Sequence, residues 1–222
     1  MTTTKASFRT IGTFARTCAA ASVVGMGLLL GAAGISGQAT AQAAPAAING
    51  AQQIANQFSS VKTMTGDFVQ FGPRGEQTEG TFYIERPGKI RFTYNKPSPI
   101  RVISDGESVV INNRKLDTWD LYPLSKTPLK LLLADQIDLT GDRVKSVKEE
   151  PDMTTIVLGD KSVFGNSTIK MMFDPKTYEL RQWTITDAQG LDTTVMITNV
   201  RKDVKFAKDM FTIDYTRIAM KR

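Results

Sequence analysis

The chain has 222 residues, with 28 Lys and Arg, 22 Asp and Glu, a single Cys and no His. Without His it cannot form a Ser-His-Asp triad, an imidazole general base or a His-ligated zinc site. With one Cys it cannot form an internal disulfide or a Cys-cluster metal site. Carboxylate chemistry remains possible, but most familiar hydrolase, protease and metalloenzyme designs are excluded.

Residues 1–43 have the pattern of a cleaved secretory signal peptide. Their start combines three basic side chains with no acidic one: Lys5, Arg9 and Arg16. An apolar stretch rich in Ala and Gly follows from residue 18 to residue 35, and residues 39–43 offer two overlapping A-x-A cleavage sites. A membrane anchor is disfavoured, because the apolar stretch is shorter than the roughly 20 residues that a spanning helix needs. We therefore expect residues 44–222 to form the mature protein.

The mature chain is expected to carry neither a lipid anchor nor a nucleic-acid site. Cys18 precedes the apolar stretch, whereas the lipidated cysteine of a lipoprotein signal follows it. Once the three basic residues of the signal peptide are removed, 25 basic residues stand against 22 acidic ones, a net charge of +3. No stretch combines dense Lys and Arg with aromatic residues, so we expect no nucleic-acid partner.

The mature chain is predicted to be one domain built mainly from β-strands. Its long helical pattern runs from Ala46 to Met64, with Asn49 as a candidate N-cap. Ile54, Phe58 and Val61 recur there as on one helix face. Beyond it, short β-branched and aromatic runs alternate with turn signals and predict eight strands and two further candidates: Gly80–Arg86, Lys89–Tyr94, Ile100–Ser104, Ser108–Asn112, Thr154–Leu158, Ser167–Phe173, Leu180–Thr186 and Thr193–Val200, then Phe68–Phe71 and Phe211–Tyr215. Strands at this spacing predict an antiparallel sandwich or barrel.

A hairpin around Pro87-Gly88 carries the most informative pattern. A three-residue turn at residues 87–89 would pair Ile84 with Phe92 and collect the apolar side chains of both strands on one face. The same register pairs Glu85 with Arg91 on the other face.

Arg86 falls on the apolar face of this hairpin. A guanidinium there is costly unless its donors find acceptors. It either extends to water at the strand end or marks a functional site, as local inconsistencies of this kind often do.

A short Leu-rich helix is predicted at residues 127–134. Thr127 is its expected N-cap and Pro128 its first helical residue. Four Leu among residues 129–133 cover more than one stripe of such a helix. The helix is therefore either buried on two sides, or closes over a cavity and exchanges core contacts for ligand contacts.

Several motifs of the mature chain resemble those of a known family, in the same order. They are Gly66-Asp67-Phe68-Val69-Gln70, the run from Glu79 to Tyr94 with its Gly-x-Phe-x-x-x-Arg-Pro-Gly segment, Val102-Ile103-Ser104-Asp105-Gly106, Thr127-Pro128-Leu129, Asp187-Ala188-Gln189-Gly190 and Phe211-Thr212-Ile213. Together they cover most of residues 50–215. On these residues the chain resembles the LolA family of periplasmic outer-membrane lipoprotein carrier proteins.

The resemblance implies an α+β fold that is mainly β, an incomplete antiparallel β-barrel (half-barrel) with helices covering the open side. It also implies a periplasmic carrier, without catalysis or cofactor, that binds the acyl chains of lipoproteins. The expected partners are acylated lipoproteins, an inner-membrane ABC-type lipoprotein-releasing complex and an outer-membrane receptor lipoprotein. We expect a monomer and no metal site.

The resemblance also implies site residues. The acyl-chain-binding cavity is expected to be lined by apolar side chains of the hairpin and of both helices: Phe82, Ile84, Ile90, Phe92, Tyr94, Phe58, Leu131 and Leu132. The family's inward Arg corresponds to Arg86, which is expected to bond backbone groups of the helical lid. Helix geometry leaves the last carbonyls of the Leu-rich helix unpaired, so we predict a lid latch between Arg86 and the carbonyls of Leu132, Leu133 and Ala134.

Three alternatives to a carrier were weighed. A half-barrel lipid- or lipoprotein-sensing module of an envelope-stress regulator would have the same fold, but usually with a second domain for which this chain is too short. An outer-membrane receptor of the same pathway needs a lipidated N-terminal Cys. A carboxylate enzyme needs a convergent Asp or Glu pair, and no pair stands at a recognisable spacing.

Overall fold

The computed structural model describes residues 45–162 and 165–220, and eleven β-strands contain about half of them. In chain order the elements are α1 (Pro45–Ser60), β1 (Thr63–Phe71), β2 (Gln77–Glu85), β3 (Lys89–Tyr94), β4 (Ile100–Asp105), β5 (Ser108–Asn113), β6 (Thr118–Pro123), a 3₁₀ turn (Leu124–Lys126), α2 (Leu129–Leu132), β7 (Val144–Glu149), β8 (Thr154–Ser162), β9 (Gly165–Phe173), β10 (Leu180–Thr186), β11 (Asp192–Lys202) and α3 (Tyr215–Met220). The strands form one antiparallel sheet in the order β6-β5-β4-β3-β2-β1-β11-β10-β9-β8-β7. Because β6 and β7 are the edges and the sheet does not close, the expected incomplete barrel is confirmed. The predicted signal peptide, residues 1–43, lies outside the described residues.

The strand predictions hold for the interior of the sheet and fail at its edges. All eight expected strands are present, and Phe68–Phe71 is the second half of β1. The expectation of a strand at Phe211–Tyr215 is wrong, because this segment forms turns that lead into α3. The sequence pattern did not reveal β6 and β7, which are the two edge strands. Edge strands carry polar and charged residues that limit unwanted pairing, and these residues weaken the apolar alternation.

The main hydrophobic core lies on the face of the sheet that packs against α1 and α2, which we call the inner face. On β3 the buried residues alternate strictly with half-buried ones. Gly80 of β2 pairs with Phe68 of β1. A Cβ at this position would overlap the carbonyl oxygen of Thr93 and lie 2.9 Å from the Phe68 ring, so a glycine is required for the close approach of these strands.

Helix α1 is shorter than predicted. It begins at Pro45, so Asn49 lies inside the helix and is not its N-cap, and it ends at Ser60, so Val61 lies beyond it. Ile54 and Phe58 are buried as expected. Among the described residues, no helix is both long and apolar enough to span a membrane.

The β2–β3 hairpin differs in register from the prediction. Ile84 pairs with Ile90, and Glu85 pairs with Lys89. The predicted pairing of Ile84 with Phe92 is therefore wrong by two residues. A shift of the register by two residues keeps every side chain on its predicted face. The predicted pair of Glu85 with Arg91 is replaced by an ion pair of Glu85 with Lys89, whose Oε1 and Nζ atoms are 2.6 Å apart.

Helix α2 is the predicted Leu-rich helix, with a different start. The Thr127 hydroxyl donates a hydrogen bond to the carbonyl oxygen of Leu124, 3.0 Å away, and does not cap the helix. Leu131, Leu132 and Leu133 are all buried. In this structure the helix is thus buried on more than one side, which agrees with the interpretation of the Leu-rich helix as a buried helix.

The opposite face, which we call the outer face, carries a second, smaller core. Ile103 and Val110 of the sheet pack there with Ile213 and Ile218 of the C-terminal segment. The Arg91 guanidinium donates a hydrogen bond to the carbonyl oxygen of Met210 at 3.0 Å. The segment after β11 therefore crosses the outer face instead of adding a strand.

Candidate functional site

The structure brings the eight predicted cavity residues together in the inner-face core. Their side chains are almost completely buried: Phe82, Ile84, Ile90 and Leu132 at 0 %, Phe58 at 4 %, Phe92 and Leu131 at 5 %, and Tyr94 at 8 % exposure. In this structure they pack against one another in the core. Their role in lining an acyl-chain-binding cavity stays a prediction.

Aromatic rings form the centre of this core. Phe68 contacts Phe92 and Tyr94 edge-on, with ring centroids 4.9 and 5.1 Å apart, and Trp183 lies 6.2 Å from Phe92. The Tyr94 hydroxyl donates to the side-chain oxygen of Gln70 at 2.7 Å, and burial raises the pKa of Tyr94 to about 12. Edge-on pairs at these distances add about 0.5–1.5 kcal/mol beyond the area that they bury.

Sequence reasoning missed Phe68 and Trp183 as members of the site. Both were predicted to lie on strands, Phe68 on the strand before the hairpin and Trp183 on a strand far from it in the chain. They meet the hairpin because β1 pairs with β2 on one side and with β11 on the other, and β11 pairs with β10. Three strands separate β3 from β10 in the sheet, so the contact between Phe92 and Trp183 comes from the curvature of the sheet and could not be read from either strand.

Arg86 lies under the helices and is 5 % exposed. Its Nη1 donates to the carbonyl oxygen of Val61 at 2.9 Å, just beyond the end of α1, and its Nη2 donates to that of Leu132 in α2 at 3.3 Å. Its guanidinium carbon lies 4.1 Å from the centroid of the Phe58 ring, a cation–π contact. One side chain thus connects the hairpin to both helices.

The electrostatic state of Arg86 follows from its burial. Removal from water lowers the pKa of Arg86 to about 10, so it is charged at neutral pH. Its Nε is buried and has no hydrogen-bond partner. An unsatisfied buried donor costs free energy, and this cost offsets part of what the two carbonyl bonds and the Phe58 contact contribute.

The carbonyls of the predicted latch accept hydrogen bonds from different donors, and not all from Arg86. The carbonyl of Leu133 accepts from the backbone N–H of Gly88 at 3.0 Å, and the N–H of Arg86 donates to the carbonyl of Lys62 at 2.7 Å. Ala134 is half-buried and lines a surface groove with Leu131. Of the three predicted carbonyls, the Arg86 guanidinium therefore donates a hydrogen bond to that of Leu132. It also donates one to the carbonyl of Val61, which was not predicted from the sequence.

Gln52 of α1 links that helix to the chain after α2. Its Nε2 donates to the carbonyl of Ile137, and its Oε1 accepts from the N–H of Leu139, each at 2.8 Å. Ile137 and Leu139 are themselves buried in the inner-face core. Helix α1 and residues 133–139 are thus joined by side-chain bonds and shared apolar contacts.

The spaces in this region are small or open to solvent. A cavity of about 20 Å³ lies against Phe58, Met64, Leu180 and Ile197, which is room for about one water molecule. A groove of about 600 Å³ runs along Leu131 and Ile137 at the surface.

Metal-binding chemistry has no support in the described part of the chain. Within it, no group of three or more Asp, Glu, Cys or His side chains is arranged to hold a metal ion.

Comparison with known sequences identifies the family. The family model described as outer membrane lipoprotein carrier protein LolA matches residues 59–214, which is more than half of the chain. A protein of Chromobacterium violaceum named outer-membrane lipoprotein carrier protein is 28% identical over 170 residues, which are 72% of this chain and 81% of that protein. The protein of the same name from Methylobacillus flagellatus is 23% identical over 180 residues, 73% of this chain and 83% of that one.

Solved structures give weaker likenesses. A LolA superfamily protein from Nitrosomonas europaea aligns with a TM-score of 0.38 and 13% identity, over 74% of this chain and 98% of that one. The Pseudomonas aeruginosa MucA/MucB complex aligns with a TM-score of 0.41 and 13% identity, over 77% of this chain and 62% of that one. Since both TM-scores are below 0.5, the assignment rests on the sequence comparisons. The chain belongs to the LolA family of outer membrane lipoprotein carrier proteins.

Proposed function

We propose that the mature protein carries acylated lipoproteins through the periplasm. It takes them from an inner-membrane ABC-type lipoprotein-releasing complex and delivers them to an outer-membrane receptor lipoprotein, without catalysing a reaction. The observation that carries this proposal is the apolar inner face of an open sheet, covered by two helices that Arg86 connects to the hairpin. A buried polar connection under a cover is a contact that can break and form again, unlike a continuous apolar core.

The magnitudes suit a carrier that must also release its cargo. Burial of a CH₂ group contributes about 0.8 kcal/mol, so a 16-carbon chain contributes at most about 12 kcal/mol. Full burial of several chains in a preformed cavity would make release very slow. Opening a closed core uses part of this free energy and so reduces the net affinity.

Arg86 gives this opening a defined polar part. Cargo that lifts the helices breaks the bonds from the guanidinium to the carbonyls of Val61 and Leu132, which contribute about 1.5–3 kcal/mol each as charge-assisted bonds. Their re-formation favours the closed state and helps expel the acyl chains. Arg86 is thus proposed to act as the lid latch.

Cargo binding at the inner face is tested with two substitutions of Phe92. Phe92→Ala leaves the face apolar but creates a cavity, and should lower the free energy of unfolding by about 3–5 kcal/mol. Phe92→Glu places an unpaired carboxylate among the acyl chains, which costs several kcal/mol. Acyl species that co-purify with the exported protein are counted by mass spectrometry, and a hydrophobic fluorophore reports binding.

We expect Phe92→Ala to retain acyl species and fluorophore binding, and Phe92→Glu to lose both. Phe206→Glu, a change of the same kind on the half-buried outer-face ring that contacts Tyr83, is the control and should bind as the unchanged protein does. If the two Phe92 variants lose binding in proportion to their lost stability, the inner face is only a core and the proposal fails.

A further inference from the structure

Four arginines converge on the outer face, on the side away from the proposed cargo site. We call them the arginine cluster: Arg91 on β3, Arg101 on β4, Arg114 after β5 and Arg217 on α3. Arg91 and Arg101 are half-buried, and the other two are exposed. The guanidinium carbons of Arg101 and Arg217 lie 5.9 and 5.5 Å from the centroid of the same ring, that of Trp119 on β6.

Most of the cluster is bonded to groups that do not neutralise it. Arg91 donates to the carbonyl of Met210, and Arg114 donates to the carbonyls of Ser98 and Pro99. In the described part of the chain, the carboxylate that pairs with the cluster is that of Asp117, 2.9 Å from Arg217. Within the described residues, Arg91, Arg101 and Arg114 therefore form no ion pair.

Two further carboxylates on this face, those of Asp105 and Asp214, accept hydrogen bonds from neutral donors and keep their negative charge. Asp105 accepts hydrogen bonds from the Tyr215 hydroxyl at 2.7 Å and from the N–H groups of residues 107 and 108. Asp214 accepts from the backbone N–H of Arg217 at 2.9 Å. Neither provides an ion pair for Arg101 within the described residues.

Arg101 is the member with the least satisfied environment. Its Nε is buried and has no hydrogen-bond partner, and the same holds for the Nε of Arg91. Burial, followed by repulsion from the other three arginines, lowers the pKa of Arg101. A bound anion would reduce the repulsion among the arginines and accept hydrogen bonds from the Arg101 guanidinium.

We infer that the arginine cluster binds a phosphate-type anion, with Arg101 as the central donor and Trp119 as an apolar wall. The planar guanidinium presents two parallel N–H groups that match two phosphate oxygens. A phosphate group carries up to two negative charges and several acceptor oxygens, which fits several guanidinium groups without an ion pair better than a single carboxylate does. Free phosphate and a phospholipid headgroup both offer this chemistry. The inference does not depend on the proposed cargo function, because the cluster lies on the opposite face.

Thermal unfolding of the exported protein with inorganic phosphate, at constant ionic strength, tests the site. Ligand at ten times its Kd should raise the Tm by about 4 °C. Arg101→Gln should abolish this rise. Arg101→Lys keeps the charge but loses the two parallel N–H groups of the guanidinium, so it should retain less than about half of the rise. The control is Arg201→Gln on β11, which removes the same charge from an exposed position and should respond as the unchanged protein does.

Flotation with phosphatidylglycerol vesicles, compared with phosphatidylcholine vesicles, separates the two sources of phosphate. If the protein binds the anionic vesicles, Arg101→Gln abolishes this binding and Arg201→Gln retains it, the site binds a lipid headgroup. If the protein responds to inorganic phosphate alone, the site binds a soluble phosphate. Circular dichroism checks that each variant is folded. The inference is overturned if neither probe binds, if both Gln variants lose binding equally, or if a Glu-rich peptide binds the cluster more tightly than phosphate does.

Discussion

Arg86 shows how one charged residue can both stabilise and limit a closed state. Its two carbonyl bonds and its contact with Phe58 hold the hairpin to α1 and α2. Its buried, unpartnered Nε works against them. If Arg86 acts as the proposed lid latch, this balance closes the helices without making the closed state too stable to open, as a carrier requires.

Replacing Arg86 with Leu should separate loading from release. The variant keeps an apolar inner face but loses the polar contacts that favour closure, so it should accept lipoprotein from the inner-membrane complex and accumulate as a loaded species. The measurement is a reconstituted transfer assay that follows release to the outer-membrane receptor. Arg181→Leu, which removes a solvent-exposed ion pair with Asp174, is the control. Release by Arg86→Leu at the unchanged rate would contradict the latch.

Tyr94 gives the closed core a pH dependence. Burial raises its pKa from 10.0 to about 12, so the folded protein resists its ionisation and the unfolded chain does not. The stability that this provides is fully present below about pH 10 and is lost as the pH rises towards about 12. At about pH 11 the loss from this group should be about 1.4 kcal/mol.

Urea unfolding at about pH 9 and about pH 11 measures this loss. Tyr94→Phe should show a decrease between the two pH values that is smaller than that of the unchanged protein by about this amount. Tyr83→Phe, on the opposite face of β2, is the matched control and should keep the full Tyr94 contribution. An identical decrease in Tyr94→Phe and the unchanged protein would show that the pKa of Tyr94 is the same in the folded protein and in the unfolded chain.

At the scale of elements, the cover of the inner face is built from two segments that are far apart in the chain. Helix α1 lies at the start of the described residues, and α2 with residues 133–139 lies in its middle. Gln52 joins them through two hydrogen bonds that involve the backbone of Ile137 and Leu139. They should therefore open as one unit and not separately.

Gln52→Ala should loosen residues 133–139 from α1. Two lost bonds with partly buried partners correspond to about 1–3 kcal/mol of local stability, so hydrogen exchange at the Leu139 amide should accelerate by about ten- to a hundredfold. Gln53→Ala changes the same residue type at the next, exposed position of the helix and should leave the exchange unaltered. Unchanged protection of Leu139 in Gln52→Ala would contradict the link.

At the scale of the whole molecule, an open sheet keeps its inner face accessible once its cover moves. A closed barrel would fix the size of its interior, whereas a sheet with free edges at β6 and β7 can widen. The outer face is meanwhile covered in part by the segment after β11, which shields Ile103 and Val110. The two faces are thus separated, with the proposed cargo on one and the proposed anion site on the other.

Export is tested on the whole molecule by intact-mass analysis. We expect cleavage near Ala41–Ala44, so the exported protein should lack the basic start and Cys18, and its mass should carry no diacylglycerol. The substitution of Ala41 and Ala43 by larger residues should leave the precursor uncleaved. An exported protein that keeps residue 1, or carries a lipid on Cys18, would contradict a periplasmic carrier.

The periodicity of the sequence was enough to predict the interior strands of the sheet and the face on which each hairpin residue lies. Strand periodicity is a local property, and the parity of side chains survives even the error of two residues in the pairing of Ile84. Arg86 could be predicted on the apolar face for the same reason. The family resemblance then supplied the expectation that its partners belong to the helical cover.

The surroundings of these residues follow from the fold. The carbonyl of Val61 meets Arg86, and Trp183 meets Phe92, because helix docking and the curvature of the sheet bring together segments that no local pattern connects. The edge strands β6 and β7 stayed hidden because their polar residues serve to prevent pairing with other chains. The closed state of the inner face is likewise a matter of packing: the sequence shows which side chains are apolar, but only their arrangement shows that they fill the space themselves.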